Sequence, residues 1–164
     1  ASILYAIEIP PSGGDTWFCD MYDAYDQLPP DLKSRIAGLK CVHDASRNSA
    51  GMLRKGWQEV TDPRETKGAI HPLVRTHPVT GRRALFLGRR RNAYIPGLSL
   101  EESEALLDAL WRHAVRPEST WVQQWHIGDV LIWDNRCTMH RRDAFDPAQR
   151  RLMHRTQIAG DKPY

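Results

Sequence analysis

Seven short runs of the 164-residue sequence, at 2–9, 16–19, 70–76, 84–87, 121–126, 130–133 and 150–158, are rich in β-branched and aromatic residues. Pro, Gly, Asp and Asn bound them, the residues that stop a strand and turn the chain. One stretch only has a sustained helical period. Ser99 caps it, Glu102 completes a capping box, Leu106, Leu107, Leu110, Trp111 and Ala114 form one apolar face, and Pro117 ends it. Shorter helices are expected at 21–28 and 31–39, either side of Pro29-Pro30. Many short strands around one packed helix predict a mainly β fold with flanking helices, a sandwich or jelly roll rather than a doubly wound sheet.

Length fits a single domain over 1–164, large enough to bury a core. Residues 2–9 read as a strand already under way, with no initiator Met, so an N-terminal portion is expected to precede them. Residues 10–15 form a tight connection between the first two strands. Residues 46–67, polar and dotted with Gly, are expected as a loop or lid over a site. Trp57 within them either lines a pocket or packs on the core.

A net charge of +3 is too small to imply nucleic acid and suits a small anionic partner. Cys19, Cys41 and Cys137 are odd in number and widely spaced, without a C-x-x-C pair. Neither a disulfide framework nor a structural zinc site is indicated, and a reducing cytoplasm is the expected compartment. No apolar run approaches the roughly 18 residues of a membrane span.

Chemistry concentrates near the C-terminus. On a strand over 150–158, Arg151, Met153 and Arg155 share one face, and Leu152, His154 and Thr156 the other. Two arginines on one strand face are costly to bury without anions and well suited to grip carboxylates bidentately. On an exposed edge strand the same pattern would simply face water. His140, after a short apolar run, is by itself either a structural imidazole or a metal ligand.

The string Trp133-Asp134-Asn135-Arg136-Cys137-Thr138-Met139-His140, followed by Arg151, Arg155 and Gly160-Asp161-Lys162-Pro163, resembles the taurine/2,4-dichlorophenoxyacetate dioxygenase family. So do Gly13-Gly14-Asp15-Thr16, His71-Pro72-Leu73-Val74-Arg75-Thr76-His77-Pro78 with Thr80-Gly81-Arg82, and Gly97-Leu98-Ser99, in that order along nearly the whole chain. The resemblance implies the C-terminal portion of a jelly-roll domain, a double-stranded β-helix incomplete at the N-terminus. It implies Fe(II) held by two His and one carboxylate, with 2-oxoglutarate and O2 as cosubstrates. His140 would be the distal metal ligand, Arg151 and Thr16 would bind the far carboxylate of 2-oxoglutarate, and Arg155 would meet the substrate's acidic group.

The implied reaction hydroxylates an aryloxyalkanoate or a sulfonate such as taurine beside its heteroatom, giving C–O or C–S cleavage, succinate and CO2. Expected partners are a small anionic substrate and, as in relatives, a second copy in a dimer or tetramer, with neither nucleic acid nor membrane. Arg89-Arg90-Arg91-Asn92 and Arg141-Arg142 resemble the aryloxyalkanoate side, although Arg89–Arg91 is equally a solvated turn.

One departure stands out. The family's H-x-D/E ligand motif precedes its G-G-D-T segment, and no His here is followed two residues later by Asp or Glu. Either that motif lies in the expected N-terminal portion, or the chain is a catalytically inactive β-sandwich homologue. An anion-binding module using Arg82, Arg83 and Arg89–Arg91 is a third reading.

Overall fold

The computed structural model describes residues 1–47, 51–160 and 162–164. Residues 48–50 of the expected loop, and Asp161 of the 160–163 signature, lie outside the described residues. The elements run β1 (Ser2–Glu8), β2 (Thr16–Asp20), α1 (Met21–Asp26), α2 (Pro30–Ile36), β3 (Lys40–Asp44), β4 (Gly68–Pro72) and β5 (Val74–Thr76). After these come β6 (Arg83–Leu85), α3 (Leu100–Ala114), β7 (Thr120–Gln123), β8 (Val130–Trp133), β9 (Thr138–Arg142) and β10 (Leu152–Gln157). The mainly β expectation holds. Among the described residues no helix is long and apolar enough to cross a membrane.

Two three-stranded antiparallel sheets, ordered β10-β1-β8 and β7-β2-β9, carry the cavity described below; β3-β4 and β5-β6 form separate pairs. The 10–15 connection therefore passes from one sheet to the other instead of closing a hairpin. In the first sheet Leu4 stands opposite Arg155 and Leu131, and Ala6 opposite Met153. Strand alternation turns Ser2, Leu4 and Ala6 inward, with Ser2 and Ala6 fully buried. It turns Tyr5, Val130, Ile132 and Leu152 outward, where they are exposed.

Helix α3 forms as its sequence predicts. The Ser99 hydroxyl accepts from the Glu102 amide at 3.2 Å, and the Glu102 carboxylate accepts from the Ser99 amide at 3.0 Å. Its apolar face (Leu106, Leu107, Leu110, Ala114) packs into one core with Met21, Ala24, Ile36, Leu73, Leu85 and Ile95. Burying each leucine stabilises the fold by about 2 kcal/mol. The Cys19 thiol of β2 donates to the Ala114 carbonyl at 2.7 Å, tying the second sheet to the end of α3. Burial pushes that thiol up to about 11, so it stays protonated.

Other boundaries moved for physical reasons. The run at 70–76 is two strands, because Leu73 turns wholly into the core between them. Strands β3 and β9 were not anticipated. In β3 only Cys41 and Val42 are apolar, and β9 is Thr-Met-His-Arg-Arg, so neither shows a hydrophobic alternation.

His43 of β3 sits in an aromatic nest, 4.9 Å from the His71 ring and 5.2 Å from Phe86. Burial, and then the neighbouring His71, lower its pKa to about 4 from an ordinary 6.5. Burial likewise lowers His71. The folded state thus prefers neutral His43 while the unfolded chain protonates near 6.5. This stabilisation is complete above that value and is lost as pH falls towards 4. The unfolding free energy from urea titrations is expected to fall across that window by about 2 kcal/mol, after discounting for partial solvent access. A His43→Phe variant should flatten the decline.

Candidate active site

Both three-stranded sheets open onto one cavity of about 1270 Å³. Thr16 and Phe18 reach it from β2, Trp121 from β7, His140 and Arg142 from β9, Trp133 from β8, and Arg151 and Arg155 from β10 and its approach. Thus His140, Thr16, Arg151 and Arg155, singled out in the sequence, all line the same space. Trp111, Val115 and Pro117 form an apolar side of it.

Antiparallel register explains the convergence. Phe18 pairs with His140 and Thr16 with Arg142, so all four point to one face. Phe18 is flanked by Trp121 at 5.5 Å and Trp133 at 5.2 Å. The His140 ring meets Trp133 edge-on at 5.0 Å and stacks on Phe18 at 6.1 Å. His140 is open to the cavity mouth, yet the surrounding wall strips much of its water. That desolvation, and then the charge of Arg155, lower its pKa, favouring the neutral imidazole. Neutral imidazole is the metal-ligating form.

Thr16 is buried, and its hydroxyl oxygen accepts from the indole N–H of Trp125 at 3.0 Å. The hydroxyl proton is then directed towards another acceptor, polarised by the bond behind it. The Arg151 Nε donates to the Gly14 carbonyl at 3.2 Å, leaving both terminal amino groups for the cavity. Burial, followed by the charge of Arg142, lowers the pKa of Arg151. Gly14 adopts φ +74°, and a Cβ there would meet the Arg151 side chain at 3.2 Å, so glycine permits both the turn and the contact.

The turn entering β9 hangs on Asp134. Amides of Val79 and Thr80 donate to His77 Nδ1 at 3.2 Å each, which places the imidazole proton on Nε2 facing the Asp134 carboxylate at 3.1 Å. Arg136 grips the same carboxylate through Nε at 2.9 Å and a terminal nitrogen at 2.6 Å. These bonds, the Arg136 guanidinium foremost, hold the carboxyl well below the usual carboxylate range. Asn135 accepts from the Trp133 indole and donates to the Ser2 hydroxyl, both at 2.7 Å, so the turn is stitched to β8 and β1. His77, Asp134 and Cys137 cluster as metal ligands could. The lone pairs and proton of His77 and the Asp134 carboxylate are already engaged in these bonds, and the Cys137 thiol, raised by burial, donates to the Asp134 carbonyl at 3.8 Å, so the cluster reads as a structural clip.

Among the described residues lining the cavity, His140 and Cys19 are of metal-ligating type, and the protonated Cys19 thiol is spent on the Ala114 carbonyl, which leaves His140 as the candidate ligand. It fits one vertex of a coordination sphere, and this sequence supplies no H-x-D partner pair. Trp57 does not line the cavity. Its loop is clamped instead, Arg47 and Arg91 both gripping Glu59. The Arg89–Arg91 turn is less solvated than expected, since Arg90 pairs with Glu104 and Asp108 of α3. Arg82 pairs with Asp26, so the arginines of the anion-module reading are largely neutralised. Trp125 was missed, and Arg142 was noted only within the Arg141-Arg142 resemblance, without a role. Strand parity two residues beyond His140 was the available signal for Arg142.

Comparison with known proteins identifies the family. Residues 1–157 match the family described as "Taurine catabolism dioxygenase TauD, TfdA family". The chain is 40% identical over 160 residues to an alpha-ketoglutarate-dependent 2,4-dichlorophenoxyacetate dioxygenase of Cupriavidus pinatubonensis, covering 98% of this chain and 55% of the relative. It is 38% identical over 167 residues to an (S)-phenoxypropionate/alpha-ketoglutarate-dioxygenase of Sphingobium herbicidovorans, covering 96% and 57%. Its structure matches that of AAD-2 in complex with Mn(II) and N-oxalylglycine with a TM-score of 0.84 and 39% identity, over 99% of this chain and 64% of the other. The chain spans about half the length of the curated relatives it matches.

Removing the Asp134 carboxylate tests the clip. Asp134→Ala leaves the His77 N–H and the Arg136 fork without their acceptor and is expected to cost about 2–3 kcal/mol in urea unfolding. Asp134→Asn, which keeps the shape, should cost less.

Proposed function

The chain belongs to the taurine catabolism dioxygenase TauD, TfdA family, and from that membership we propose that the protein is an Fe(II)- and 2-oxoglutarate-dependent dioxygenase. It hydroxylates a small anionic substrate at the carbon next to a heteroatom. One oxygen atom of O2 enters the substrate and the other enters succinate, with release of CO2 and subsequent C–O or C–S cleavage. The observation that carries this reading is the opening of Thr16, His140, Arg151 and Arg155 onto one cavity. The two sheets are read as part of a double-stranded β-helix, and residues 1–164 as the C-terminal portion of that single domain.

Roles follow from chemistry. Arg151 offers its terminal amino groups, and Thr16 its hydroxyl, to the remote carboxylate of 2-oxoglutarate. Arg155, close enough to influence His140, meets the acidic group of the substrate. Trp111, Trp121, Val115 and Pro117 surround the substrate body and exclude water. His140 supplies one neutral imidazole to iron; the bound metal supplies oxygen activation, and the chain supplies orientation. The relatives named for phenoxyacetate and phenoxypropionate support an aryloxyalkanoate over a sulfonate. Three free cysteines support a reducing, cytoplasmic setting.

A second reading, a metal-free relative, draws on His140 being the one candidate ligand among the described residues of the cavity once the Cys19 thiol is bonded to the Ala114 carbonyl. One set of measurements separates the two. The full-length protein with Fe(II), ascorbate and 2-oxoglutarate is expected to release succinate when given an aryloxy acid. Arg151→Met should weaken 2-oxoglutarate binding by about 100-fold, the scale for truncating a partly buried charge partner. Unchanged affinity would refute the cosubstrate assignment, and failure to bind Mn(II) would favour the metal-free relative.

A further inference from the structure

Arginines of the segment from Arg136 to Arg155 fall into two groups. Arg136 pairs with Asp134, Arg141 with Asp143 at 2.5 Å, and Arg150 with Glu8 at 2.9 Å. Their neighbours Arg142, Arg151 and Arg155 have no salt bridge among the described residues. Parity explains the sorting, because Arg142 shares the face of β9 that carries His140, whereas Arg141 lies on the other face, over the Trp17 ring and paired with Asp143. Arg151 and Arg155 carry the roles proposed above. Arg142 carries none.

Its position is well defined. Arg142 stands directly opposite Thr16 in the β2–β9 register and lies about 7 Å along the strand from His140. Its guanidinium stacks on the Phe145 ring at 4.7 Å. Phe145 in turn lies against Gly13, where a Cβ would come within 3.3 Å of the Phe145 Cα, and the next residue, Gly14, cradles Arg151. The Gly14 amide donates to the Ala144 carbonyl at 3.2 Å, and the Asp143 amide to the Asp15 carbonyl at 2.8 Å. One Gly-Gly turn therefore packs against both the Phe145 platform of Arg142 and the side chain of Arg151, and both arginines line the cavity together with Thr16. Two like charges gathered this way repel each other until an anion enters between them.

We propose that Arg142 is a second cation for the remote carboxylate of the 2-oxo diacid, acting beside Arg151 so that the pocket selects a dicarboxylate over a monocarboxylic 2-oxo acid. This rests on the reading of Arg151 and Thr16 as the cosubstrate's carboxylate site. Arg142 binds from the Thr16 side and Arg151 from the Gly14 side. A carboxylate bound there has each oxygen facing a guanidinium, with the hydroxyl as a third donor. Stacking on Phe145 fixes the guanidinium plane without using its donors.

The test compares two ligands that differ only at the remote end, 2-oxoglutarate and 2-oxopentanoate. Their dissociation constants would be measured by calorimetry on the full-length protein loaded with Mn(II), for the wild type, Arg142→Met, Arg142→Lys and Arg151→Met. Arg142→Met is expected to weaken 2-oxoglutarate about tenfold or more while leaving 2-oxopentanoate within about twofold. Arg142→Lys should recover much of the loss, because it restores the charge. Equal weakening of both ligands by Arg142→Met and Arg142→Lys would mean a structural role and overturn the proposal. An unchanged 2-oxoglutarate affinity in Arg142→Met, with a large loss in Arg151→Met, would overturn this inference alone. No loss in Arg151→Met would overturn the carboxylate site and this inference with it.

Discussion

The register of β2 against β9 decides where every candidate group of the site points. Phe18 opposite His140 and Thr16 opposite Arg142 put four side chains on one face. A slip of β9 by one residue would put His140 and Arg142 on the face opposite Phe18 and Thr16 and break up the group. The register is fixed from outside the strands. Asp134 binds the His77 ring and the Arg136 fork just before β9 begins, and the Met21 amide donates to the Cys137 carbonyl at 2.9 Å where β2 runs into α1. A tight polar turn thus determines the direction of an imidazole several residues away.

Much of this was legible in the sequence, unevenly. Alternation correctly placed Arg151 and Arg155 on one face, and the Ser99 capping box correctly started α3. Both are local rules that tertiary packing reinforced. Strand β9 was invisible for the opposite reason. Its cavity-facing residues are polar because they face a solvent-accessible space, so the hydrophobic period that betrays a strand is missing. The same wet surroundings that hid the strand make its residues functional candidates. Motif likeness gave His140 a role and named Arg142 only in passing; its place beside His140 belongs to the strand's parity.

Tertiary pairing also corrected the reading of charge runs. Arg89–Arg91 and Arg82 look alike as sequence, a basic surface with no fixed partner. In the fold Glu59, Glu104, Asp108 and Asp26 reach them across long sequence separations. No local pattern could show this, since the acids come from the loop, from α3 and from α1. What singles out Arg142, Arg151 and Arg155 is therefore that no salt bridge reaches them among the described residues, not the number of positive charges.

The outward face of the β10-β1-β8 sheet, where Tyr5, Val130, Ile132 and Leu152 lie exposed, has a consequence of its own. Contiguous apolar side chains on a sheet surface order water unfavourably and adhere to any similar surface they meet. Kosmotropic salts deepen that tendency while also screening the guanidinium groups on the sheet's other side. A single change of buffer thus acts on the two faces of one three-stranded layer in opposite senses, strengthening cohesion on one and weakening ion attraction on the other.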